Sequence, residues 1–190
     1  NGSVRYIAME LLLGRSLFDV WELGDRTGKR LPVDLAAYVC AEVAAGLQAA
    51  HELQLVHRDI KPSNIWLESP NGNVKLLDFG LALEATGADS RLTVNGAVVG
   101  TPEYMPPEQA RGEEVDHRAD LYSLGVVLYQ LATGERPFAR PNVMAVLGAV
   151  LTVDPPPVRT INPSLPTGLE DLIRRLMAKD PGARPQSAAE

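Results

Sequence analysis

The chain has 190 residues, of which 45% are hydrophobic, 22% charged and 5% aromatic, and its formal net charge is −6 at pH 7. That length and balance describe one ordinary globular domain and exclude collagen-like, low-complexity and disordered classes. The acidic balance speaks against a nucleic-acid footprint, and the single cysteine, Cys40, permits neither an internal disulfide nor a thiolate metal cluster. One free cysteine also fits a reducing compartment. The longest uncharged apolar stretch, Val143 to Val153, falls well short of the ~20 residues a spanning helix needs, so no membrane segment is expected here.

Residues 4–13 (VRYIAMELLL) are strand-like, and Gly14 is expected to break the run. A short helix is predicted near Ser16 to Leu23, then a charged, Gly-containing loop from Gly24 to Arg30. From Pro32 to about Leu53 the period turns helical, with Leu35, Val39, Val43, Leu47 and Ala50 on one stripe. Short β-like pieces follow at Leu55-Val56, Ile65 to Leu67 and Val74 to Leu77. Residues 80–100 are small and polar and read as a long surface loop, a length that in a compact domain usually serves a function. A helix from Asp120 to Thr133, stopped by Gly134, is apolar nearly all the way round and so should be buried on all sides. Further helices are predicted over Val143 to Leu151 and Leu169 to Lys179, joined through a stiff Asp154-Pro155-Pro156-Pro157 connector. The chain opens on Asn1-Gly2-Ser3 and closes over Pro185 to Glu190, where Ser187 reads as the cap of a helix with only three residues after it. These ends lead to the expectation that the sequence is a piece of a longer protein.

The chemistry concentrates in His57-Arg58-Asp59-Ile60-Lys61-Pro62-Ser63-Asn64, a loop between the first long helix and the short strands. Taken alone, the octapeptide fits a turn with a solvated lysine equally well. Leu76-Leu77-Asp78-Phe79-Gly80 follows, with a carboxylate at the end of a short apolar strand; hard Mg²⁺ takes oxygen ligands and few of them from protein. Alone, that run also reads as a strand-to-turn transition. Then come Gly100-Thr101-Pro102-Glu103-Tyr104 and Pro106-Pro107-Glu108.

In order and spacing these pieces resemble the C-terminal lobe of the eukaryotic-type protein kinases: a catalytic loop, then Asp-Phe-Gly, then an activation segment closed by x-Pro-Glu. The resemblance spans essentially the whole chain and continues in Asp120 to Gly125, Thr133 to Phe138 and Asp180 to Pro185. Pro-Pro-Glu-Gln-Ala-Arg-Gly and Thr-Gly-Glu-Arg-Pro-Phe look like bacterial serine/threonine kinases. The implied fold class is mainly α with short β hairpins, the helical lobe of a protein-kinase-like fold. Its parts are a hinge strand at 4–13, the catalytic loop at 57–64, an activation segment at 78–108 and a helical subdomain at 116–190.

The implied reaction is transfer of the ATP γ-phosphoryl group to protein Ser or Thr hydroxyls, which needs positioning and charge neutralisation more than covalent chemistry. By resemblance Asp59 is the base, Asn64 and Asp78 are Mg²⁺ ligands, and Lys61 reaches the γ-phosphate as a point charge. Met9 falls at the gatekeeper position, and the Glu10 carbonyl and Leu12 N–H would face the adenine. Trp66 stands where Leu or Met usually lies beneath the adenine ring, which predicts an indole in the pocket floor supported by Val127 and Leu131. Pro106 stands where Ala or Ser is usual. Arg58 implies regulation by a phosphate on the activation segment. Of Thr86, Ser90, Thr93 and Thr101, Thr93 matches the bacterial phosphothreonine, and Thr101 matches a structural post beside Asp59 and Lys61. Glu108 and Arg184 match a structural pair, Asp120 a structural carboxylate that bonds the catalytic-loop backbone, and His57 a packed core histidine. His117-Arg118-Ala119-Asp120 repeats the catalytic-loop pattern without a following Lys-x-x-Asn and is read as a decoy.

The glycine-rich loop and the lysine strand of the family do not occur in these 190 residues. Truncation of a complete kinase is the simplest account. The alternatives are a catalytically silent kinase-like binding or scaffold module, which has no chemical need for Asp59, Lys61, Asn64 and Asp78 together, and a small-molecule phosphotransferase, which Lys61 and the Gly-Thr-Pro-Glu-Tyr segment disfavour. The expected partners are ATP and protein substrates, with no nucleic acid, and the expected location is cytoplasmic.

Overall fold

The computed structural model describes residues 10–26, 31–79, 93–94, 97–98 and 101–190. The strand expected over 4–13 is corrected where it can be seen. Residues 4–9 lie outside the described residues, 10–13 are irregular, and the strand is β1, Gly14–Ser16. Leu11 and Leu13 are exposed, so their apolar character is not spent on a sheet. Gly14, expected to break the run, instead begins the pairing, because a Cβ there would sit 2.1 Å from the Leu67 carbonyl oxygen at a φ of +144°. β1 pairs antiparallel with β2 (Ile65–Glu68), and β2 with β3 (Val74–Leu76). The β-like piece expected at Leu55-Val56 is irregular. A second pair, β4 (Thr93–Val94) and β5 (Ala97–Val98), lies inside the segment read as a loop.

Helix α1 (Leu17–Arg26) runs further than the predicted Ser16–Leu23. Its start is a reciprocal cap: Ser16 Oγ donates to Asp19 Oδ2 at 2.6 Å while the Asp19 N–H donates to Ser16 Oγ at 3.1 Å. Helix α2 (Val33–Glu52) matches its apolar stripe, with one rotation. Ala36 and Cys40 join Val39, Val43, Leu47 and Ala50 in the core, and Leu35 is only half-buried. By length and composition α2 is also the one described helix apolar enough to cross a membrane, yet here its stripe packs on the core helix. Burial pushes the Cys40 thiol up to about 12, so it stays a packed, protonated side chain.

The centre of the fold is α4 (Arg118–Thr133), in which every residue from Ala119 to Thr133 is buried. An all-round apolar helix can do this only if elements cover every side. α2 lies on one side and α7 (Thr167–Leu176) on another, with α6 (Val158–Ile161) beside them. The short α3 (Pro107–Arg111) and α5 (Val143–Thr152) complete the helical layer, and the Asn142 side chain caps α5 by accepting from the Ala145 N–H. α7 ends at Leu176, short of the predicted Lys179, and a 3₁₀ turn at Pro181–Ala183 follows. The helix start expected at Ser187 is a set of bends and turns instead. There the Glu190 carboxylate folds back onto the Gln186 N–H, which supplies an acceptor without a helix.

α4 and α7 approach closely at Gly125, where a Cβ would sit 2.7 Å from Leu176 Cβ. Gly148, on the exposed side of α5, has open space around it. Both are mid-helix glycines, so propensity alone favours Ala at both by about 1 kcal/mol. Urea denaturation should show Gly148→Ala stabilised by about that amount. Gly125→Ala should be net destabilised, because overpacking costs about 1–3 kcal/mol. A gain at both positions would show that α4 and α7 pack more loosely than described.

Candidate active site

The loop between α2 and β2 brings Asp59, Lys61 and Asn64 together. Pro62 opens a 3₁₀ turn over Pro62–Asn64, which turns the chain back so that Asn64 faces Asp59. Asn64 Nδ2 donates to both the carbonyl and Oδ2 of Asp59, each at 2.9 Å. Lys61 Nζ reaches the same Oδ2 at 2.7 Å. The Asp59 carboxylate is 41% exposed and Lys61 19%, so a charged pair stands at the surface on a buried asparagine. Asn64 spends its amide hydrogens on Asp59, which leaves Oδ1 without a partner among the described residues.

The loop is held from beneath. His57 is fully buried; its Nε2 bonds the Leu77 carbonyl at 2.9 Å and its ring packs 4.7 Å from that of Phe79. A carbonyl accepts only, so Nε2 carries the proton, and Nδ1 is free to accept from the Asp59 N–H at 3.4 Å. With the Leu77 N–H donating to the Asn64 carbonyl, these bonds tie the loop to the end of β3, immediately before Asp78. Asp78 is exposed and has no side-chain partner among the described residues. Arg58 (φ 64°) and Asp78 (φ 58°) both occupy the left-handed region, which for a residue bearing a Cβ costs on the order of 1–3 kcal/mol and persists only where surroundings enforce it.

The enforcing group for Arg58 is Asp120, at the start of α4. Its buried carboxylate accepts from the His57 N–H and the Arg58 N–H, each at 2.8 Å, and from His51 Nε2 at 2.8 Å. This is the structural role the resemblance implied. Its neighbour His117 is engaged elsewhere, with the Gln186 carbonyl at 2.9 Å, and the decoy reading of that motif stands. The sequence did not single out His51, whose buried Nδ1 has no hydrogen-bond partner among the described residues. The Glu108–Arg184 pair also forms, as a fork: Nη1–Oε1 at 2.6 Å and Nη2–Oε2 at 2.7 Å, with side-chain exposure of 6% and 0%. Pro106 precedes α3 with an ordinary proline φ of −73° in extended backbone, so its departure from the usual Ala or Ser costs no strain.

The remaining expected residues are placed as follows. Met9 lies outside the described residues, as do Thr86 and Ser90. Glu10 and Leu12 lie in the irregular stretch before β1. Trp66 is half-buried on β2, with Nε1 3.4 Å from the Leu13 carbonyl, so the indole lies against the stretch expected to hold the adenine. Val127 and Leu131 are in the core, and Trp66 is not among the hydrophobic residues packed against it, so the expected support of the indole by these two residues is corrected. No described bond joins the Thr101 side chain to Asp59 or Lys61; Thr101 is exposed and its carbonyl caps the turn at Pro102–Tyr104. Thr93 lies on β4, opposite Val98. The sequence reading also missed Lys75, which binds Glu10 and Glu68.

Removing the Asp120 carboxylate leaves two buried backbone donors and His51 without an acceptor. Each such loss costs about 1–3 kcal/mol. Asp120→Ala should therefore be destabilised by several times the cost of an ordinary surface change, and Asp120→Asn, which keeps one acceptor, by less. Amide exchange should quicken first at His57 and Arg58; unchanged protection there would refute the anchoring role.

Comparison with known proteins agrees with this geometry. A family model described as "Protein kinase domain" matches residues 1–190. The chain is 44% identical to the tyrosine-protein kinase MasK of Myxococcus xanthus, covering 94% of this chain and 28% of that protein. It is 44% identical to the serine/threonine-protein kinase Pkn1 of the same species (97% and 26%), and 38% identical to the serine/threonine-protein kinase PknB of Mycolicibacterium smegmatis (100% and 30%). The crystal structure of the Mycobacterium tuberculosis PknI kinase domain superposes with a TM-score of 0.72 at 28% identity, covering 95% of this chain and 60% of that one. The chain thus spans under a third of the length of these curated relatives.

Proposed function

Since the chain belongs to the bacterial, eukaryotic-type branch of the protein kinase family, we propose that the protein containing it transfers the γ-phosphoryl group of ATP to Ser or Thr hydroxyls of protein substrates. The observation that carries this reading is the Asp59–Lys61–Asn64 cluster, a half-exposed carboxylate that meets an ammonium and is held in place by a buried amide. The two substrate classes named among the relatives, tyrosine and serine/threonine, share this phosphoryl chemistry. Lys61, two residues after Asp59, favours the hydroxyl of Ser or Thr by resemblance.

In this reading Asp59 orients the acceptor hydroxyl and takes its proton as the hydroxyl oxygen bonds to the γ-phosphorus and the bond to the β-phosphate oxygen breaks, releasing ADP. Lys61 lies close enough to Asp59 to neutralise charge on the transferring group. A divalent ion is implied by the family, and the residues present fit one: Asn64 Oδ1 and the Asp78 carboxylate are hard oxygen donors without other described partners, which suits Mg²⁺, an ion that keeps several waters and substrate phosphates. That ion would neutralise phosphate charge. Glu10 and Leu12 offer backbone groups to adenine, and the Trp66 indole supplies an aromatic floor. The exposed Arg58 is the docking group for a phosphate on Thr93. A cytoplasmic location is part of this proposal, because the reaction draws on ATP.

In the full-length protein, Asp59→Asn should lower kcat by about 10²–10⁴-fold with nucleotide affinity near that of the parent. Asp78→Asn should instead abolish the Mg²⁺-dependent part of nucleotide binding. Phosphopeptide mapping of the active protein in the same assay should find Thr93 as the dominant site. Turnover above about a tenth of the parent in Asp59→Asn removes Asp59 as the base, and nucleotide binding without any turnover in the parent favours a silent binding module.

A further inference from the structure

The stretch before β1 is tied to the β2–β3 hairpin at two places. At its far end the Leu13 carbonyl accepts from the Ser69 N–H at 2.8 Å, with Trp66 Nε1 at 3.4 Å. At its near end the contact is electrostatic: Lys75 Nζ meets both carboxylate oxygens of Glu10, at 3.0 and 2.9 Å, and Glu68 Oε1 at 3.3 Å. Lys75 stands directly opposite Trp66 in the β2–β3 register, and Glu68 stands opposite Gly14 in the β1–β2 register. Trp66, Glu68 and Lys75 therefore share one face of the sheet. Residues 10–13 form no ladder, so between Glu10 and the Leu13 carbonyl no backbone bond to the hairpin fixes the chain among the described residues.

We propose that Lys75 is a positioning residue of the nucleotide slot, which by the ion triad Glu10–Lys75–Glu68 sets the distance between the backbone groups of residues 10–12 and the Trp66 floor. The inference rests on the kinase reading above for what occupies the slot. The triad has one cation and two anions, and both carboxylates lie within 3.3 Å of the same ammonium. Removing that ammonium does more than delete a contact, because it leaves two like charges facing each other across the slot's edge. The Glu10 bond is the main cause holding the Lys75 ammonium above its ordinary range, and the Asn73 bond, followed by Lys75, holds Glu68 below its own. Lys75 and Glu68 are thus held in their charged forms around neutral pH. It sits at the surface, and exposed pairs of this kind change an equilibrium by up to roughly fivefold.

The test is a titration of the full-length protein with a fluorescent ATP analogue, together with steady-state KM and kcat. Lys75→Met should weaken nucleotide binding roughly two- to fivefold, raising KM by more than it lowers kcat. Lys75→Arg, which keeps charge and reach, should stay near the parent. Adding Glu10→Gln to Lys75→Met should recover part of the loss, since it removes the repulsion; a merely structural lysine predicts no recovery on deleting its partner. Hydrogen exchange at Leu11 to Leu13 should quicken in Lys75→Met and slow again in the double variant. Equal affinity in the parent and Lys75→Met, or a double variant weaker than the single one, overturns this inference alone. Absence of nucleotide binding by the parent overturns the kinase reading, and this inference with it.

Discussion

One buried carboxylate, Asp120, fixes the relation between the core and the chemistry. It sits at the N-terminal end of the central helix and accepts two backbone N–H groups from the catalytic loop and one imidazole N–H from α2. Near a helix N-terminus the macrodipole also favours a negative charge. Asp59 therefore inherits its position from α4 through Asp120, and α4 inherits its own from the helices packed around it. The left-handed Arg58 is the visible cost of this arrangement, since the loop accepts an unfavourable φ so that both N–H groups meet the carboxylate. The grip falls on backbone, so side chains at 57 and 58 are free for other tasks. His57 uses that freedom to reach Leu77, tying the loop to the strand that ends just before Asp78.

The second constraint is distance along the chain. Asp59 and Asp78, 19 residues apart in sequence, flank the same open end of the antiparallel β2–β3 hairpin, where Ile65 pairs with Leu76, and the hairpin itself is too short to be stable alone. It is stable here because Leu67, Val74 and Leu76 pack against the helical core and because β1 adds a third strand. The sheet therefore serves as a ruler between the loop at 57–64 and the stretch at 10–13, with helices behind it for rigidity. Sites built in this way place reactive side chains on loops while regular elements carry the precision.

Much of this was legible in the sequence for identifiable reasons. α2 carries an apolar stripe, α4 is apolar nearly all the way round and α5 is an uncharged apolar run, and such patterns survive translation into structure because burial dominates the energetics. The Asp59–Lys61–Asn64 cluster was legible through the resemblance to the kinase motifs, since the octapeptide alone fits an ordinary turn equally well. The start of β1 was not legible: Leu11 and Leu13 look like strand residues but are exposed, and Gly14 looks like a breaker but is needed for close backbone approach. Propensity describes single residues, whereas the pairing at Gly14 depends on a carbonyl 53 positions away. Lys75 and His51 were missed for the same reason, since their partners lie 65 and 69 residues distant. Ser16, where the helix was expected to begin, is instead its cap, although Ser-x-x-Asp before an apolar run is a local signal.

The fork between Arg184 and Glu108 has a consequence for which substitutions the domain tolerates. Arg184 also donates from Nε to the Ala178 carbonyl, from Nη1 to the Arg118 carbonyl and from Nη2 to the Lys179 carbonyl, while its plane lies over the Tyr122 ring. Every N–H of the guanidinium has an assigned acceptor, drawn from three different stretches of chain. A lysine of equal charge lacks both the donors and the planar spread to reach them all, so it would strand carbonyls in a dry interior. Charge conservation at this position is thus the wrong measure of similarity, because the site recognises a shape.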